Sequence, residues 1–369
     1  MGVLVHLTTP AEWRVALAAG SVATPSLLAD GFIHLSSPEQ VQLPAERLFR
    51  GRPDTLLLVL DPDRLASPVR WEPGMPTDPA SMTFPHLYGP LPVSAVTSVL
   101  PYPPAADGAF EPPAGLPAPA DLAGRAAAFD RSLARRRAAV VVEVDGGFAT
   151  LDPRVPASYE HNSLWLHGDL DAATIARAAE VLPAWVRPRV VVDRPPPAEL
   201  GWEVEEERFL VLAPGTPSPE AGPARVVAVT SEVMAGLWAP GWQRDLPGIS
   251  AESVDDLVRR EAFADAHCRI VDLAVLGDDG VPVAGTQLRI DGASAAIEAV
   301  LTEPTARGAG LATSLVADAV RRARDAGCDL VWLLARAYDW PRHWYERLGF
   351  ADVGARWVAL GPDPGHARP

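Results

Sequence analysis

Cysteine is nearly missing from this chain. Its 369 residues hold two, Cys268 and Cys328, far apart and outside any CxxC pair. Neither a disulfide framework nor a zinc site is signalled, and the expectation is a cytoplasmic protein with no metal ligand set. Apolar runs of membrane length are also missing, so no membrane span is expected. The first residues, MGVLVHLTTPAEW, lack a basic segment and a long apolar core, which argues against a signal peptide. Positive charge is in short supply: 32 basic against 47 acidic residues leave a net charge of −15. That excludes broad, sequence-independent nucleic-acid binding, which needs a basic face.

What is present reads as globular. Hydrophobic residues make up 48% and charged residues 21%, and this length supports two or three domains. The 39 prolines cluster. Residues 102–119 are too rich in Pro and Gly to build a packed element, and read as a semi-rigid linker. A shorter linker falls at 215–223. Three units result: 1–101, 120–214 and 224–362.

The first unit reads as a small α+β domain. LVHL near the start is a strand, Thr9-Pro10 opens a helix, and residues 31–36 form a second strand. Another helix is expected over residues 39–51. LLLVL at 56–60 is a buried strand, VRWE at 69–72 a short one, residues 84–89 a loop and 93–100 the last strand. The second unit opens with a basic helix over 125–137. Strands over 138–144 and 148–151 then flank an Asp145-Gly146-Gly147 turn. A strand at 163–167, a helix at 171–181 and strands at 189–192 and 209–212 follow. The third unit repeats this order. It has a helix through Trp238, a helix over 253–267 and hairpin strands over 270–276 and 283–290. A strand over 295–302, a helix over 311–326, a buried strand over 329–335, a helix over 340–348 and a final strand over 357–360 complete it. Both units close alike, with Leu200-Gly201-Trp202 and Leu348-Gly349-Phe350 each next to an apolar strand, which suggests related tandem repeats.

The chemistry concentrates at LTEPTARGAGLA, residues 301–312. A strand ends in a proline turn, and Arg307, Gly308, Ala309, Gly310, Leu311 and Ala312 open a helix. Glycines let a ligand approach the backbone, and the first-turn amides are left unpaired, so the turn is an anion site suited to a pyrophosphate. A dinucleotide-type G-x-G-x-x-G fails here, because Thr313 stands where a third glycine is needed.

These residues resemble the GNAT N-acetyltransferase superfamily, whose acetyl-CoA loop is R/Q-x-x-G-x-G/A. IEAVL before the loop, DLVWLLA after its helix and WYERLGF at 344–350 support that likeness. The resemblance implies a GNAT fold, a mixed and mostly antiparallel twisted sheet with flanking helices, the second unit being a degenerate first half. It implies acetyl-CoA as co-substrate, with the amides of 307–312 on the pyrophosphate and Val300 and Leu301 along the pantetheine arm. It implies an amine acceptor, in a small molecule or a peptide, Glu298 as the base and Tyr345 as the acid. His343 reads as a surface residue and His267 as a helix end.

Three histidines fall in the first unit, in LVHLT, GFIHLSS and FPHLYGPLP. This unit resembles the unknown-function family 952, itself similar to ADP-ribosyltransferase-like folds. That likeness implies a nucleotide site, with NAD as one ligand, at His6 and His34 with His86 and Tyr88 nearby. Three functions follow: an N-acetyltransferase, an NAD- or nucleotide-dependent transferase in the first unit, or a non-enzymatic CoA sensor.

Overall fold

The computed structural model describes residues 2–74, 81–183, 186–260, 263 and 266–362. Its N-terminal body starts with β1 (Leu4–Thr8) and α1 (Pro10–Ala19). Thr9 and Glu12 form a reciprocal capping box, Pro10 occupies the first turn, and Gly20 ends the helix in the left-handed region, the local signals that start and stop a helix. Next come β2 (Ser21–Val22), α2 (Pro25–Ala29), β3 (Ile33–His34), α3 (Gln42–Leu48) and β4 (Leu56–Leu60). The body ends with β5 (Val69–Pro73), β6 (Thr83–Leu87), β7 (Leu91–Pro92) and β8 (Val96–Pro101). They form two three-stranded sheets, β1-β4-β8 and β3-β6-β5, and the pair β2-β7. Every residue of β4 is buried, as its apolar run requires.

Two expectations change here. Residues 84–89 are mostly strand, with β6 at the centre of its sheet. Pro85 made the stretch read as a loop, yet its carbonyl accepts from the Leu35 amide at 2.9 Å and no donor is needed from it. The helix expected over 39–51 shrinks to α3. The proline-rich segment 102–119 is irregular, but it is not a free spacer. Phe110 and Tyr102 pack against Val5, Val41 and Leu57, and Gln42 Nε2 donates to the Phe110 carbonyl at 2.7 Å.

The remaining elements are α4 (Leu122–Arg137), β9 (Val140–Val144), β10 (Gly147–Leu151), β11 (Ser163–Leu166), α5 (Ala172–Ala179), β12 (Arg189–Val192) and β13 (Glu203–Leu212). Then follow β14 (Val227–Val229), α6 (Ser231–Asp245), α7 (Ala251–Arg259), β15 (Arg269–Leu276), β16 (Pro282–Asp291) and β17 (Ser294–Thr302). The chain closes with α8 (Leu311–Asp325), β18 (Leu330–Arg336), α9 (Trp340–Arg347) and β19 (Ala351–Leu360). Helix α6 continues past Trp238 through Pro240, so most of 238–249 is helix. Helix α7 ends at Arg259; of the rest of the expected 253–267 helix, residues 261, 262, 264 and 265 lie outside the described residues.

One sheet unites both C-terminal units. Its order is β14-β15-β16-β17-β18-β13-β19-β12-β11-β10-β9. Read from either side toward the middle, the pattern repeats. Three antiparallel steps from β14, or two from β9, lead to a parallel pair, β17 with β18 or β11 with β12. A helix, α8 or α5, joins the two strands of each pair. The closing strands then cross over: β13 of the second unit lies between β18 and β19, and β19 of the third lies between β13 and β12. The units therefore share a core through exchanged strands, as two halves of one sheet.

The N-terminal body docks on this sheet through polar anchors. Trp13 Nε1 donates to Asp291 at 2.7 Å, and Arg136 of α4 pairs with the same carboxylate. The Ala293 amide donates to the Val96 carbonyl at 2.7 Å, and a side chain at Gly292 would collide with that carbonyl. Asp329 is held by Arg64 at 3.0 Å and by the fully buried Arg125 at 2.6 Å.

Candidate active site

The parallel strands β17 and β18 pair only at Ser294–Leu330, Ala295–Val331 and Ala296–Trp332. Both strands run on, to Thr302 and Arg336. A bulge sits at the parting. Ala299 has a φ of +53°, and the β16–β17 register slips between Gly285 and Gln287. A non-glycine residue in this region is strained, and such strain collects at functional sites. Beyond the bulge, strand edges carry unpaired backbone groups that can receive an extended ligand.

The glycine turn lies past the end of β17. Pro304–Ala306 is a short 3-10 turn, Gly308 and Gly310 have φ of +79° and +74°, and α8 starts at Leu311 with Gly310 as a cap that offers no side chain. The first amides of a fifteen-residue helix are thus open at an exposed turn, which favours an anion. Arg307 is exposed, and its Nε donates to the Thr302 carbonyl at 3.2 Å. Val300 and Leu301 are half-buried, with Leu301 against α6. The corresponding turn of the other half differs. Helix α5 is capped by Asp171, whose carboxylate accepts from the Thr174 amide at 2.7 Å. With Asp169 beside it in sequence, that helix start already has its anion.

Glu298 follows Ala296 by two residues, at the start of the parting. Its side chain keeps 32% of its exposure. Burial pushes its acidity constant up to about 7, against the pull of Arg289 and helped by the charges of Glu160 and Asp130. Arg289 Nη1 lies 4.0 Å from Glu298 and 3.1 Å from Glu160. Glu160 comes from the other half, and Arg137 of that half and Arg260 of this one hold it 2.5 and 3.6 Å away. Those guanidiniums keep its carboxyl well below the usual range, although burial opposes them. Tyr345, on α9, is buried against Trp344 and Phe350. Burial first, then the Glu298 charge, pushes its hydroxyl up, so a proton stays on it at neutral pH. The structure therefore brings Glu298 close enough for its charge to act on Tyr345, and Tyr345, Val300 and Leu311 pack in one apolar cluster.

Sequence reasoning missed Arg289 and Glu160. Gln287, Arg289 and Asp291 alternate along β16, a pattern that reads as a solvent face, yet all three are buried. Glu160 carries no local signal. His343 is exposed and paired with Glu346 at 3.1 Å, away from the opening. The buried thiols Cys268 and Cys328 are free, and burial pushes both up to about 12.

A second cluster forms in the N-terminal body. His34, His86 and Arg70 occupy one cross-strand row of β3-β6-β5. Side chains two residues apart share a face, which adds Phe32, Tyr88 and Glu72. Glu72 accepts from the Tyr88 hydroxyl at 2.7 Å and lies 3.4 Å from His86 Nδ1. His86 Nε2 is 3.3 Å from His34 Nδ1, and the His86 ring stacks on Phe32 with centroids 4.1 Å apart. His6 sits behind, its Nδ1 2.9 Å from the His34 carbonyl. Burial lowers the affinity of His6 and His34 for a proton. All four predicted residues of this unit thus meet, together with Glu72, Arg70 and Phe32. Among the described residues no group of three or more His, Cys, Asp or Glu is placed to hold a metal ion.

Residues 7–99 match the family described as protein of unknown function (DUF952), and residues 238–350 match the acetyltransferase (GNAT) family. Protein CC0527 of Caulobacter crescentus is 36% identical over 30% of this chain and 93% of its own, with a TM-score of 0.27. A putative acetyltransferase from the GNAT family of Novosphingobium aromaticivorans is 19% identical over 60% of this chain and 89% of its own, with a TM-score of 0.40. A GCN5-related N-acetyltransferase from Kribbella flavida is 19% identical over 61% and 91%, with a TM-score of 0.41. No curated protein matches the chain. Nothing in these likenesses supports NAD as a ligand. No helix among the described residues is long and apolar enough to cross a membrane.

Proposed function

We propose, for a chain that joins an N-terminal DUF952 domain to a C-terminal GNAT acetyltransferase domain, that it moves an acetyl group from acetyl-CoA to a primary amine. What supports this is the parting of β17 and β18, the glycine turn that follows β17, and a Glu298 whose charge reaches Tyr345.

The residues present fit acetyl-CoA. The amides from Gly308 onward would hold the pyrophosphate, and the freed edge from Glu298 to Leu301 would hold the pantetheine arm. Bound there, acetyl-CoA supplies an activated acyl carbon. Glu298 takes a proton from the incoming ammonium, directly or through water, since its acidity constant near 7 lets it act as a base at neutral pH. Tyr345 holds a proton for the departing sulfur. Burial of Tyr345, and partial burial of Glu298, limit bulk water near the thioester. The other half keeps no such turn, so one acetyl-CoA per chain is expected. Its helix start is occupied by Asp171, and its contribution is the Glu160–Arg137 side of the acceptor cleft.

Thermal unfolding with and without CoA tests the reading. Binding to the folded state alone raises the midpoint, by about 2.7 kcal/mol of stability at a hundredfold excess over Kd. No rise removes the proposal. Transfer itself is read with labelled acetyl-CoA and an amine mixture. The chain contains no lysine, so label on the protein cannot be ε-acetyl-lysine of its own side chains.

A further inference from the structure

The histidine row of the N-terminal domain plays no part in acetyl transfer, and its hydrogen bonds have a fixed direction. Glu72 is held in its anionic form, chiefly by the Tyr88 hydroxyl. A carboxylate only accepts, so His86 must carry its proton on Nδ1, 3.4 Å away. In the neutral ring Nε2 is then the acceptor, and the proton it receives belongs to His34 Nδ1, 3.3 Å away. This leaves His34 Nε2 as a bare lone pair on an exposed ring. A histidine whose tautomer is set by a second group, itself oriented by a carboxylate, is the arrangement of a general base. Phe32 stacks on His86 and stands edge-on to His34 at 4.9 Å, which fixes both rings.

The other end of the row is cationic. Arg70 lies over the Tyr88 ring at 4.5 Å. Glu72, the carboxylate on its own strand and face, is committed to Tyr88 and His86. Arg70 makes no ion pair among the described residues. Its guanidinium is hydrogen-bonded to Tyr88 and drawn by the Glu72 charge, and a guanidinium with five N–H donors has others left for an oxyanion. His34 and Arg70 are separated by two strand spacings, roughly 10 Å between their backbones.

We infer that the N-terminal domain carries a reaction centre of its own, in which His34 takes a proton from a hydroxyl group of a small molecule whose oxyanion, a phosphate or carboxylate, is held by Arg70. In this step the O–H bond breaks as its oxygen bonds to the electrophilic carbon or phosphorus of a second reactant; the proton goes to His34 Nε2, and that reactant's leaving group departs with its own electron pair. The imidazolium so formed still donates from Nδ1 to His86. His6, whose Nδ1 bonds the His34 carbonyl, holds the strand that presents the base.

The test uses the full-length protein labelled with ¹⁵N in its histidine rings. Multiple-bond NMR spectra at pH 8 should show both His34 and His86 as Nδ1–H tautomers. In His86→Phe, His34 should lose that preference and show a mixture. A wild-type His34 protonated on Nε2 overturns the inference. Glycerol phosphate is then titrated in. Saturable shifts of the His34 ring are expected, unchanged in Tyr345→Phe and at least tenfold weaker in Arg70→Gln. Arg70 is exposed, so that variant should fold. Equal binding in wild type and Arg70→Gln, or no shift at His34, also overturns it. Glycerate, a hydroxyl-bearing carboxylate titrated in the same phosphate-free buffer, tells whether phosphate or carboxylate is preferred.

Discussion

Glu160 and Glu298, carboxylates from opposite halves of the sheet, share one guanidinium: Arg289 Nη1 is 3.1 Å from the first and 4.0 Å from the second. The half without a glycine turn therefore acts on Glu298, the proposed base of the half that has one. Glu160 competes for Arg289 and adds repulsion of its own, and both effects hold the Glu298 proton more tightly.

Replacing Glu160 by Gln should reverse this. The repulsion disappears and Arg289 is released toward Glu298, so the acidic limb of kcat/KM for acetyl transfer should move below its wild-type position near pH 7. The pH–rate profile reads this directly. Thermal stability should fall as well, because Arg137 loses its partner. Breaking a buried pair by removing one member costs about 3–5 kcal/mol. A limb that stays in place would show that Glu160 does not tune the base.

Glu298→Gln should cut kcat by roughly 10²- to 10⁴-fold, the usual contribution of a positioned base. Its effect on stability has a definite sign. A carboxyl raised from 4.5 to about 7 binds its proton more tightly in the folded chain, so wild-type stability falls as pH rises from about 4.5 through 7. The variant lacks that loss. Its melting temperature relative to wild type should therefore be higher at pH 8 than at pH 5.

Tyr345→Phe removes the hydroxyl and keeps the packing against Trp344 and Phe350. Turnover should fall about tenfold or more, while the Kd for CoA measured by calorimetry stays within about twofold, as expected for a group that acts on the leaving sulfur.

Gly310→Ala should weaken CoA binding. The residue has a φ of +74°, and an added Cβ would lie 3.0 Å from Pro223 Cδ. The left-handed conformation alone costs about 1–2 kcal/mol for an L-residue, close to a tenfold change in Kd. Arg307→Glu should abolish binding, since a carboxylate would face the pyrophosphate. Calorimetric titration with CoA checks both.

Trp13→Phe should loosen the docking of the N-terminal domain. Asp291 would keep Arg136 but lose the indole N–H. Leaving a buried acceptor under-satisfied costs about 1–3 kcal/mol. Scanning calorimetry should show the single transition broaden or split, with the N-terminal domain melting first.

The sequence carried far at the glycine turn, because the features that matter there are local. Positive-φ glycines, a helix start and the flanking strands are written in consecutive residues, and the structure places them in order. Thr9, Pro10 and Glu12 marked α1 for the same reason. Pro85 misled because proline often breaks strands, while here only its carbonyl is used. The burial of Gln287, Arg289 and Asp291 along β16 had no such signal, because periodicity reports which residues share a face and is silent on what covers it.

By itself the sequence determined the kind of elements, the glycine turn and the repeat of closing motifs in the two C-terminal units. These depend on backbone propensity and short spacing. Only the tertiary structure decided that β13 and β19 change places, that Glu160 reaches the cleft of the other half, and that Glu72, His86 and His34 line up on one sheet face. Each of those joins residues distant in the chain, through sheet register and buried charge. Such contacts exist only once strands have paired, and no local pattern encodes them.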